Sequence, residues 1–521
     1  MAGDLGGARS LAWSEPGRTT GEIRTGGWRT RRPQYVTRPA PCQLACPAAE
    51  AIPPWIARAE AGDFRSAWEL IREENPFPAV TGRVCAHPCE TACNRGAYDG
   101  AVAINVLERF VGDWGLRHGQ PETPRARWQE RVAVVGGGPA GLACAYHLAR
   151  LGYRVTIYEA MPELGGLLRY GIPAYRLPRS VLDREIQFIL SLGVAVRAGA
   201  LLGRSVGWET LDSYQAVFLA TGAPCPVRLG VPEEASPGVY DGLAFLREAN
   251  SGRPPRLGDW AVVVGGGSTA MDVARTAVRL GVAVTVVALE ARDAMPAVAE
   301  EVEQAIAEGA TIINQVGVEK ILLGKGRVAG VSIRPARLSF DESGAIRPAF
   351  SDGDAIVLEA DALLLAIGQV PDATSLPPGV RLHQGIVAAG EDGATDRPRF
   401  FAGGDMAPGP RSVARAVGSG TRAARAIHRL LSGQDRPERP ASDGAPRRRP
   451  RRNQPGRLSP AGARRARSAL GGRTGRFVRR GDQRAERGAG PRRGAAVLFV
   501  RSLHGLRRVP DLLPRRGDPT G

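Results

Sequence analysis

Short apolar runs that end on glycine set the pattern of this chain. Val132-Ala133-Val134-Val135 runs into Gly136-Gly137-Gly138-Pro139-Ala140-Gly141, and residues 142–149 continue with a helical apolar face. Ala261-Val262-Val263-Val264 repeats the pattern into Gly265-Gly266-Gly267-Ser268-Thr269-Ala270. A β-branched run of this length, stopped by glycine and followed by a helical period, predicts strand–turn–helix. Residues 155–158 and 284–289 read as second strands of the two units, closed by Glu159 and Glu290. Residues 217–222 predict a strand ending in the turn Ala220-Thr221-Gly222, and residues 361–368 (DALLLAIG) a further buried strand. Phe400-Phe401-Ala402-Gly403-Gly404-Asp405 places a carboxylate at the head of a helix predicted over 411–431. Strands alternating with helices imply an α/β fold with parallel sheets. Ahead of these units, residues 53–74 read as two short amphipathic helices broken near Gly62, and residues 1–40 carry no sustained period. Those first residues are expected to form a surface arm without chemistry.

The glycine spacing carries the first chemistry. G-x-G-x-x-G after a strand is the turn of a dinucleotide-binding βαβ unit. Gly136 permits the tight turn, Gly138 admits a pyrophosphate, and Gly141 lets helix and strand pack closely. The phosphates would meet unpaired N–H groups at the helix N-terminus. Glu159, 18 residues past Gly141, can accept both ribose hydroxyls of an adenosine. The plain alternative is a glycine turn with a surface glutamate. The second unit is the G-x-G-x-x-A variant, with Gly265, Gly267 and Glu290 in the matching places, so two nucleotide sites are expected. Gly165-Gly166-Leu167-Leu168-Arg169-Tyr170-Gly171-Ile172-Pro173 is too rich in glycine for an element interior and reads as a loop close to a ligand.

Cysteines carry the second. Cys42 and Cys46 are spaced C-x3-C and followed by Pro47; after 38 intervening residues come Cys85, Cys89 and Cys93, spaced C-x3-C-x3-C. Thiolates on short loops suit an iron–sulfur cluster. Zinc competes, although its structural sites favour C-x2-C knuckles and often take histidine. The third possibility is a stripe of buried cysteines on one helix, against which Pro88 argues. Cys144, within a predicted helix, and Cys225, in a proline-flanked turn, read as structural.

Length, charge and hydropathy then narrow the class. A chain of 521 residues should hold two to four domains. No stretch approaches the length of apolar sequence that spans a membrane, and the N-terminus has Asp4 and no apolar secretory core. Seven cysteines at uneven spacing, without an export signal, point to a reducing compartment, so a cytoplasmic location is expected. The net charge of +18 arises entirely in one segment. Residues 446–521 hold 22 Arg, no Lys and 4 acids, and the remainder has 48 basic and 48 acidic residues. The basic tract has only Phe477 and Phe499 as aromatics, so a nucleic-acid partner is not expected.

Taken jointly, several stretches are specific. GRVCAHPCETACNRG at 82–96, VAVVGGGPAGLACA at 132–145, GGLLRYGIP at 165–173 and LATGA at 219–223 belong to the first part. VVVGGGSTAMD at 262–272, AIGQVPD at 366–372 and FAGGDM at 401–406 belong to the second. Over roughly residues 22–432 the chain resembles the small subunit of glutamate synthase and its relatives, including the N-terminal half of dihydropyrimidine dehydrogenase. The resemblance implies an α/β protein with two Rossmann-like dinucleotide-binding domains, for FAD and for NAD(P)H, behind a small α-helical iron–sulfur domain. The expected layout is an arm at 1–40, the helical iron–sulfur domain at 41–128, and an FAD domain split between 129–227 and 363–435. The NAD(P)H domain is expected at 228–362, and a disordered basic tail at 436–521. By the same resemblance Gly136, Gly138, Gly141, Glu159, Gly166, Thr221 and Gly222 would bind FAD, with Asp405 on its ribityl chain. Gly265, Gly267 and Glu290 would bind the nicotinamide dinucleotide, and Cys42, Cys46, Cys85, Cys89 and Cys93 supply the cluster.

Departures from the family pattern sharpen this. Two-cluster members carry further cysteines upstream of the pair matching Cys42 and Cys46, and these are absent, so one [4Fe–4S] cluster is expected, and which four of the five cysteines hold it is left open. There is no C-x-x-C beside the flavin, which argues against a dithiol mechanism. Members that use NADP carry an arginine pair where Leu289 and Glu290 stand here. A carboxylate accepts from a free 2′-hydroxyl and repels a 2′-phosphate, so NADH is favoured. The implied reaction passes hydride from the nicotinamide to FAD and single electrons through the cluster to a partner redox subunit or ferredoxin-like acceptor. No side-chain acid or base is required. The rival is an electron-transfer or assembly subunit with no turnover of its own.

The tail invites a separate explanation. An Arg/Gly/Pro/Ala-rich run is what a GC-rich gene yields when read out of frame. Back-translating residues 499–514 (FVRSLHGLRRVPDLLP) with one permitted codon choice and shifting by one base gives SCGHCTGCDVCLTYC followed by the start of a proline codon. That is a ferredoxin-like ligand run. The expectation is a frameshift near 436–450 that replaced a C-terminal iron–sulfur domain; the alternative is a genuine arginine-rich interaction tail. Resequencing the gene is the check, and a confirmed reading frame without those cysteine codons in the alternative frame would overturn it.

Overall fold

The computed structural model describes residues 39–120, 127–340, 346–409 and 411–433. The predicted arm up to residue 38 and the tail at 436–521 lie outside the described residues.

The described residues open with six α-helices: α1 (Pro41–Ala45), α2 (Ile52–Glu60), α3 (Phe64–Arg72), α4 (Pro78–Val84), α5 (Pro88–Thr91) and α6 (Ile104–His118). The pair expected around Gly62 is α2 and α3. Asp63 caps α3 by accepting the Ser66 N–H at 3.1 Å. Trp55, Trp68 and Ile71 form the buried faces of these helices. α4 and α6 cross with almost no space between their backbones, since a side chain at Gly82 or Gly112 would strike the main chain of Arg109 or Ala79.

Next come β1 (Arg131–Val135), α7 (Pro139–Leu151), β2 (Arg154–Glu159), α8 (Leu167–Tyr170), α9 (Arg179–Leu190), β3 (Ala195–Ala198) and β4 (Ala216–Leu219). The glycine-rich stretch expected as a loop thus contains one helical turn, α8. A link strand β5 (Cys225–Pro226) leads to the second unit, with β6 (Val239–Asp241), α10 (Gly242–Asn250), β7 (Trp260–Val264), α11 (Ser268–Arg279), β8 (Ala283–Ala288), α12 (Ala299–Ala307) and β9 (Thr311–Asn314). An antiparallel sheet of β10 (Val316–Gly324), β11 (Arg327–Phe340), β12 (Ile346–Phe350) and β13 (Ile356–Glu359) follows. The last described elements are β14 (Ala362–Leu365), β15 (Gln369–Val370), the hairpin β16 (Leu382–His383) and β17 (Ile386–Val387), β18 (Phe400–Ala402) and α13 (Val413–Ser432).

Two five-stranded sheets organise these elements. The first runs β18-β4-β1-β2-β3 and the second β6-β14-β7-β8-β9, and every pairing in both is parallel. Parallel strands are buried on both faces, which is why β1, β4, β7 and β14 are nearly uniform apolar runs. A strand from late in the chain, β18, completes the first sheet. The second is therefore an insertion, and its outgoing and returning links, β5 and β15, pair antiparallel. The boundary expected between residues 362 and 363 needs correction. Ala362 to Leu365 lie between β6 and β7, so the chain leaves the second sheet only after that strand. An isolated apolar run such as DALLLAIG cannot show which of two sheets it joins.

Three buried contacts tie the layers together. Arg176 reaches from the segment after α8 to the second unit, with Nη1 2.6 Å from Asp272 and Nη2 on Glu301. The Arg72 guanidinium lies 4.4 Å above the Trp68 ring and 5.2 Å from both Tyr146 and Phe188, joining α3 to α7 and α9. Glu185 of α9 accepts the Ala79 N–H of α4 at 2.8 Å. Burial pushes its carboxyl up to about 8, only partly offset by that N–H and by Arg72. The folded protein keeps this proton up to about pH 8, whereas the unfolded chain releases it near 4.5. This contribution is complete below the lower value and is lost as pH rises through the higher one. Glu185→Gln cannot ionise. Its Tm relative to wild type is expected to be higher at about pH 8 than at about pH 5, as thermal unfolding at the two values would read.

Candidate functional site

The first glycine turn leaves β1 with Gly136 at φ +108°, where a Cβ would strike the Ala220 carbonyl oxygen at the end of β4. Gly141 faces the Gly136 carbonyl across the turn with no room for a side chain. Gly137 N–H donates to Glu159 Oε2 at 2.6 Å, and Met161 N–H to Oε1 at 2.8 Å. Those bonds aim the carboxylate, although burial holds its pKa above the ordinary range. Gly166, at φ +51°, brings the start of α8 against the turn; its Cβ would lie 2.8 Å from Gly138 Cα. Gly165 N–H donates to the Gly137 carbonyl at 2.8 Å.

Thr221 and Gly222 follow β4, and Asp405 follows β18. Glu159, the Gly136 turn, Thr221 and Asp405 therefore sit beyond the C-terminal ends of adjacent parallel strands in the order β2, β1, β4, β18. That edge is where open α/β sheets bind ligands. Asp405 lies not at the head of α13 but in a 3-10 turn before it; the helix is capped by Ser412, whose Oγ accepts the Arg415 N–H at 3.3 Å. The turn is pinned to the helix by Gly404 N–H donating to Ser419 Oγ at 2.9 Å. Burial raises the Asp405 carboxyl, and Arg411 opposes the shift.

The second turn repeats the first. Gly265, at φ +135°, meets the Ala366 carbonyl oxygen as Gly136 meets that of Ala220, and Gly267 faces open space. Glu290 comes just after β8, and its carboxylate lies against Gly266 as that of Glu159 lies against Gly137. The Glu290 carbonyl is held by Asn314 Nδ2 at 3.0 Å.

The five cysteines divide. Cys85 ends α4 in extended conformation, His87 is left-handed at φ +40°, and Cys89 lies on α5, so they share no helix. Cys46, Cys85 and Cys89 line one small pocket with Glu50, Thr81 and Glu108, and Ala414 of α13 closes a wall. Cys42 and Cys93 are outside this lining; burial raises the Cys42 thiol, and the neighbouring Cys93 adds to the shift. Burial pushes the thiols of Cys85 and Cys89 up to about 12 and that of Cys46 still higher. Free thiolates are thus disfavoured, whereas ligated ones would have their charge neutralised by iron. His87 N–H donates to Cys85 Sγ at 3.3 Å. Among the described residues no three Cys, His, Asp or Glu close round a single-ion centre.

Spacing alone missed the acids of this pocket. Asn75 Nδ2 donates at 2.8 Å to both Glu50 Oε1 and Thr81 Oγ1, and Thr81 Oγ1 also meets Glu108 Oε1. Burial raises both carboxyls. A signal for Glu108 was available: it follows Ile104 by four residues on the buried face of α6, an acid in an apolar stripe.

Comparison with known proteins fits this arrangement. Residues 130–420 match the family model for pyridine nucleotide-disulphide oxidoreductases, and residues 34–120 that for dihydropyrimidine dehydrogenase domain II, 4Fe-4S cluster. The chain belongs to the pyridine nucleotide-disulphide oxidoreductase family, and it is an oxidoreductase that uses FAD, NAD(P)H and a 4Fe–4S group. Within that family its relatives are the glutamate synthase small chains and similar subunits. It is 36% identical to the glutamate synthase [NADPH] small chain of Halomonas elongata over 74% of this chain and 87% of that one. It is 39% identical to the NADPH-Fe(3+) oxidoreductase subunit beta of Geobacter sulfurreducens over 77% of this chain. The match with the NADP(+)-dependent formate dehydrogenase subunit beta of Moorella thermoacetica is 37% over 82% of this chain. The chain spans 66% and 64% of the lengths of those two subunits. FprA of Mycobacterium tuberculosis in complex with NADPH shares the fold, at TM-score 0.50 and 19% identity, over 58% of this chain and 85% of that one. No helix among the described residues is long and apolar enough to cross a membrane.

The tight first turn makes one outcome concrete. Gly141→Ala would force Cβ into the Gly136 carbonyl and is expected to lower stability by about 1–3 kcal/mol, measured by urea unfolding.

Proposed function

We propose that this chain takes electrons from NADH at FAD and hands them singly through one [4Fe–4S] cluster to a partner redox subunit or ferredoxin-like acceptor. The observation that carries the reading is Ala414. It belongs to the helix that follows the Asp405 turn, and it also lines the pocket of Cys46, Cys85 and Cys89. The candidate flavin edge and the candidate cluster pocket thus share α13.

In this reading Gly136, Gly138 and Gly141 admit the FAD pyrophosphate and Glu159 accepts from the adenosine ribose. Gly166, Thr221 and Gly222 line the approach, and Asp405 holds the ribityl chain. Gly265, Gly267 and Glu290 do the same for the nicotinamide dinucleotide. Cys46, Cys85 and Cys89 hold the cluster, with Glu108 of the same pocket as the fourth ligand, while Cys42 and Cys93 stand apart. The bound groups supply the hydride and one-electron chemistry, and the protein holds, orients and shields them. Iron content tests the ligand set: Cys46→Ser and Glu108→Ala are expected to lose most iron, and Cys93→Ser to keep it. Full iron in Cys46→Ser, or zinc without iron in wild type, would refute the assignment.

The NADH preference rests on Glu290, whose place against Gly266 repeats that of Glu159 against Gly137. Relatives are named for either nucleotide: the glutamate synthase small chains for NADPH, and the PreT subunit of Salmonella typhimurium for NAD. A carboxylate there repels a 2′-phosphate. Anaerobic flavin bleaching is therefore expected to show a higher kcat/KM with NADH, and Glu290→Arg to narrow the ratio by about ten-fold or more, about 1.4 kcal/mol. A wild-type preference for NADPH would overturn the point. Reduction of a dye acceptor in the same assay separates this reading from a subunit without turnover.

A further inference from the structure

Helix α13 presents one stripe to the cysteine-bearing helices: Ala414, Gly418, Thr421 and Arg425, spaced four, three and four residues apart. Ala414 lines the cysteine pocket. A Cβ on Gly418 would strike the carbonyl oxygen of Pro47, the residue after Cys46, and would lie 3.3 Å from Ala48 Cα. Thr421 Oγ1 donates to the Glu74 carbonyl at 3.2 Å, and Arg425 Nη2 lies 2.6 Å from both carboxylate oxygens of Glu74. On its other sides α13 meets the flavin unit. Gly420 packs on the Ala140 carbonyl of α7, and Ser419 Oγ holds the turn of Asp405. The helix is therefore clamped between the turn that carries Asp405 and the loop that carries Cys46.

A glycine inside a helix costs about 0.5–1 kcal/mol relative to alanine, so its presence at 418 calls for a compensating contact. That contact is with the Pro47 carbonyl. A side chain at 418 would have to push the loop of Cys46, Pro47 and Ala48 away from the helix, because the obstructing atoms are backbone and cannot rotate aside.

We propose that Gly418 is a positioning residue for the electron step: its missing side chain sets how closely the Cys46 loop seats on α13, and so the separation between flavin and cluster. The proposal rests on the flavin-to-cluster reading above. Each transfer takes one electron from the reduced flavin and adds one to the oxidised cluster, with no bond made or broken. Such a step weakens steeply with separation. Hydride delivery from the nicotinamide does not pass through this contact.

The test uses the holoenzyme under anaerobic conditions, with Gly418→Ala and the bulkier Gly418→Val. Both are expected to retain wild-type FAD and iron and to bleach the flavin with NADH at the wild-type rate. The electron paramagnetic resonance signal of the reduced cluster is expected to rise more slowly, by roughly ten-fold or more, with valine slower than alanine. Hydrogen exchange at the amides of Cys46, Ala48 and Ala49 should rise in the same order, a readout independent of turnover. Arg425→Gln serves as the comparison, since it loosens the same stripe near Glu74 without crowding Pro47. It is expected to lower the Tm and leave the rise of the cluster signal unchanged. Equal slowing by Arg425→Gln would overturn a specific role for Gly418, as would an unchanged rate in an iron-replete Gly418→Val. A wild-type protein whose flavin bleaches while its cluster stays oxidised would instead overturn the flavin-to-cluster reading, and this proposal with it.

Discussion

Both nucleotide units depend on one close approach of backbone to backbone. At the end of β1, the Ala220 carbonyl lies where a side chain on Gly136 would be; at the end of β7, the Ala366 carbonyl does the same to Gly265. In each case the carbonyl follows the strand that pairs beside the glycine-bearing one, β4 in the first sheet and β14 in the second. The positive φ of Gly136 and Gly265 then turns the chain into α7 and α11 at the sheet edge. A β-carbon at either glycine would separate the two strands where the sheet must stay closed. The glycine turn, the orientation of the following helix and the placing of Glu159 or Glu290 all rest on this contact.

The helices carrying the cysteines are built on different physics. Their pocket gathers three thiols and two buried carboxyls, and burial favours the neutral form of every one. Asn75, Thr81 and the Phe77 carbonyl just before α4 satisfy part of that polarity by hydrogen bonds. A pocket with this balance is poorly suited to a reactive thiolate. It suits a bound group whose positive charge offsets ionised ligands, consistent with the 4Fe–4S match of residues 34–120. The adjoining contacts, Arg72 among three rings and Glu74 with Arg425, anchor these helices to α7, α9 and α13.

The second sheet is inserted into the first through two short strands. Its links, β5 and β15, form a narrow two-stranded ribbon, and Arg176 is a buried ionic contact across the two units. Tyr175, beside it, lies under the guanidinium groups of Arg275 and Arg279, 4.9 and 3.8 Å from its ring centre. The stretch around α8 therefore serves both units: Gly165 and Gly166 before it close on the first nucleotide turn, and Tyr175 and Arg176 after it hold α11.

What could be read along the chain was local. Gly136, Gly138, Gly141 and Gly265 announced their turns because spacing and conformational need coincide within a few residues. The break between α2 and α3 was legible at Gly62 for the same reason, and Pro88 excluded a continuous helix through Cys85, Cys89 and Cys93. What needed the tertiary structure was every partnership between distant residues. The run DALLLAIG was visibly a strand, but only its pairing with β6 and β7 put it in the second sheet. The cysteine spacing could not separate Cys42 and Cys93 from the other three, nor reveal Glu50 and Glu108 beside them. Gly418 was a mid-helix glycine without a reason until Pro47 appeared against it. Turns and periodicities are set by the covalent chain and its immediate neighbours, so sequence alone determines them. Sheet order, buried charge and the seating of one helix on another depend on which distant surfaces exclude water together, and only the folded chain decides that.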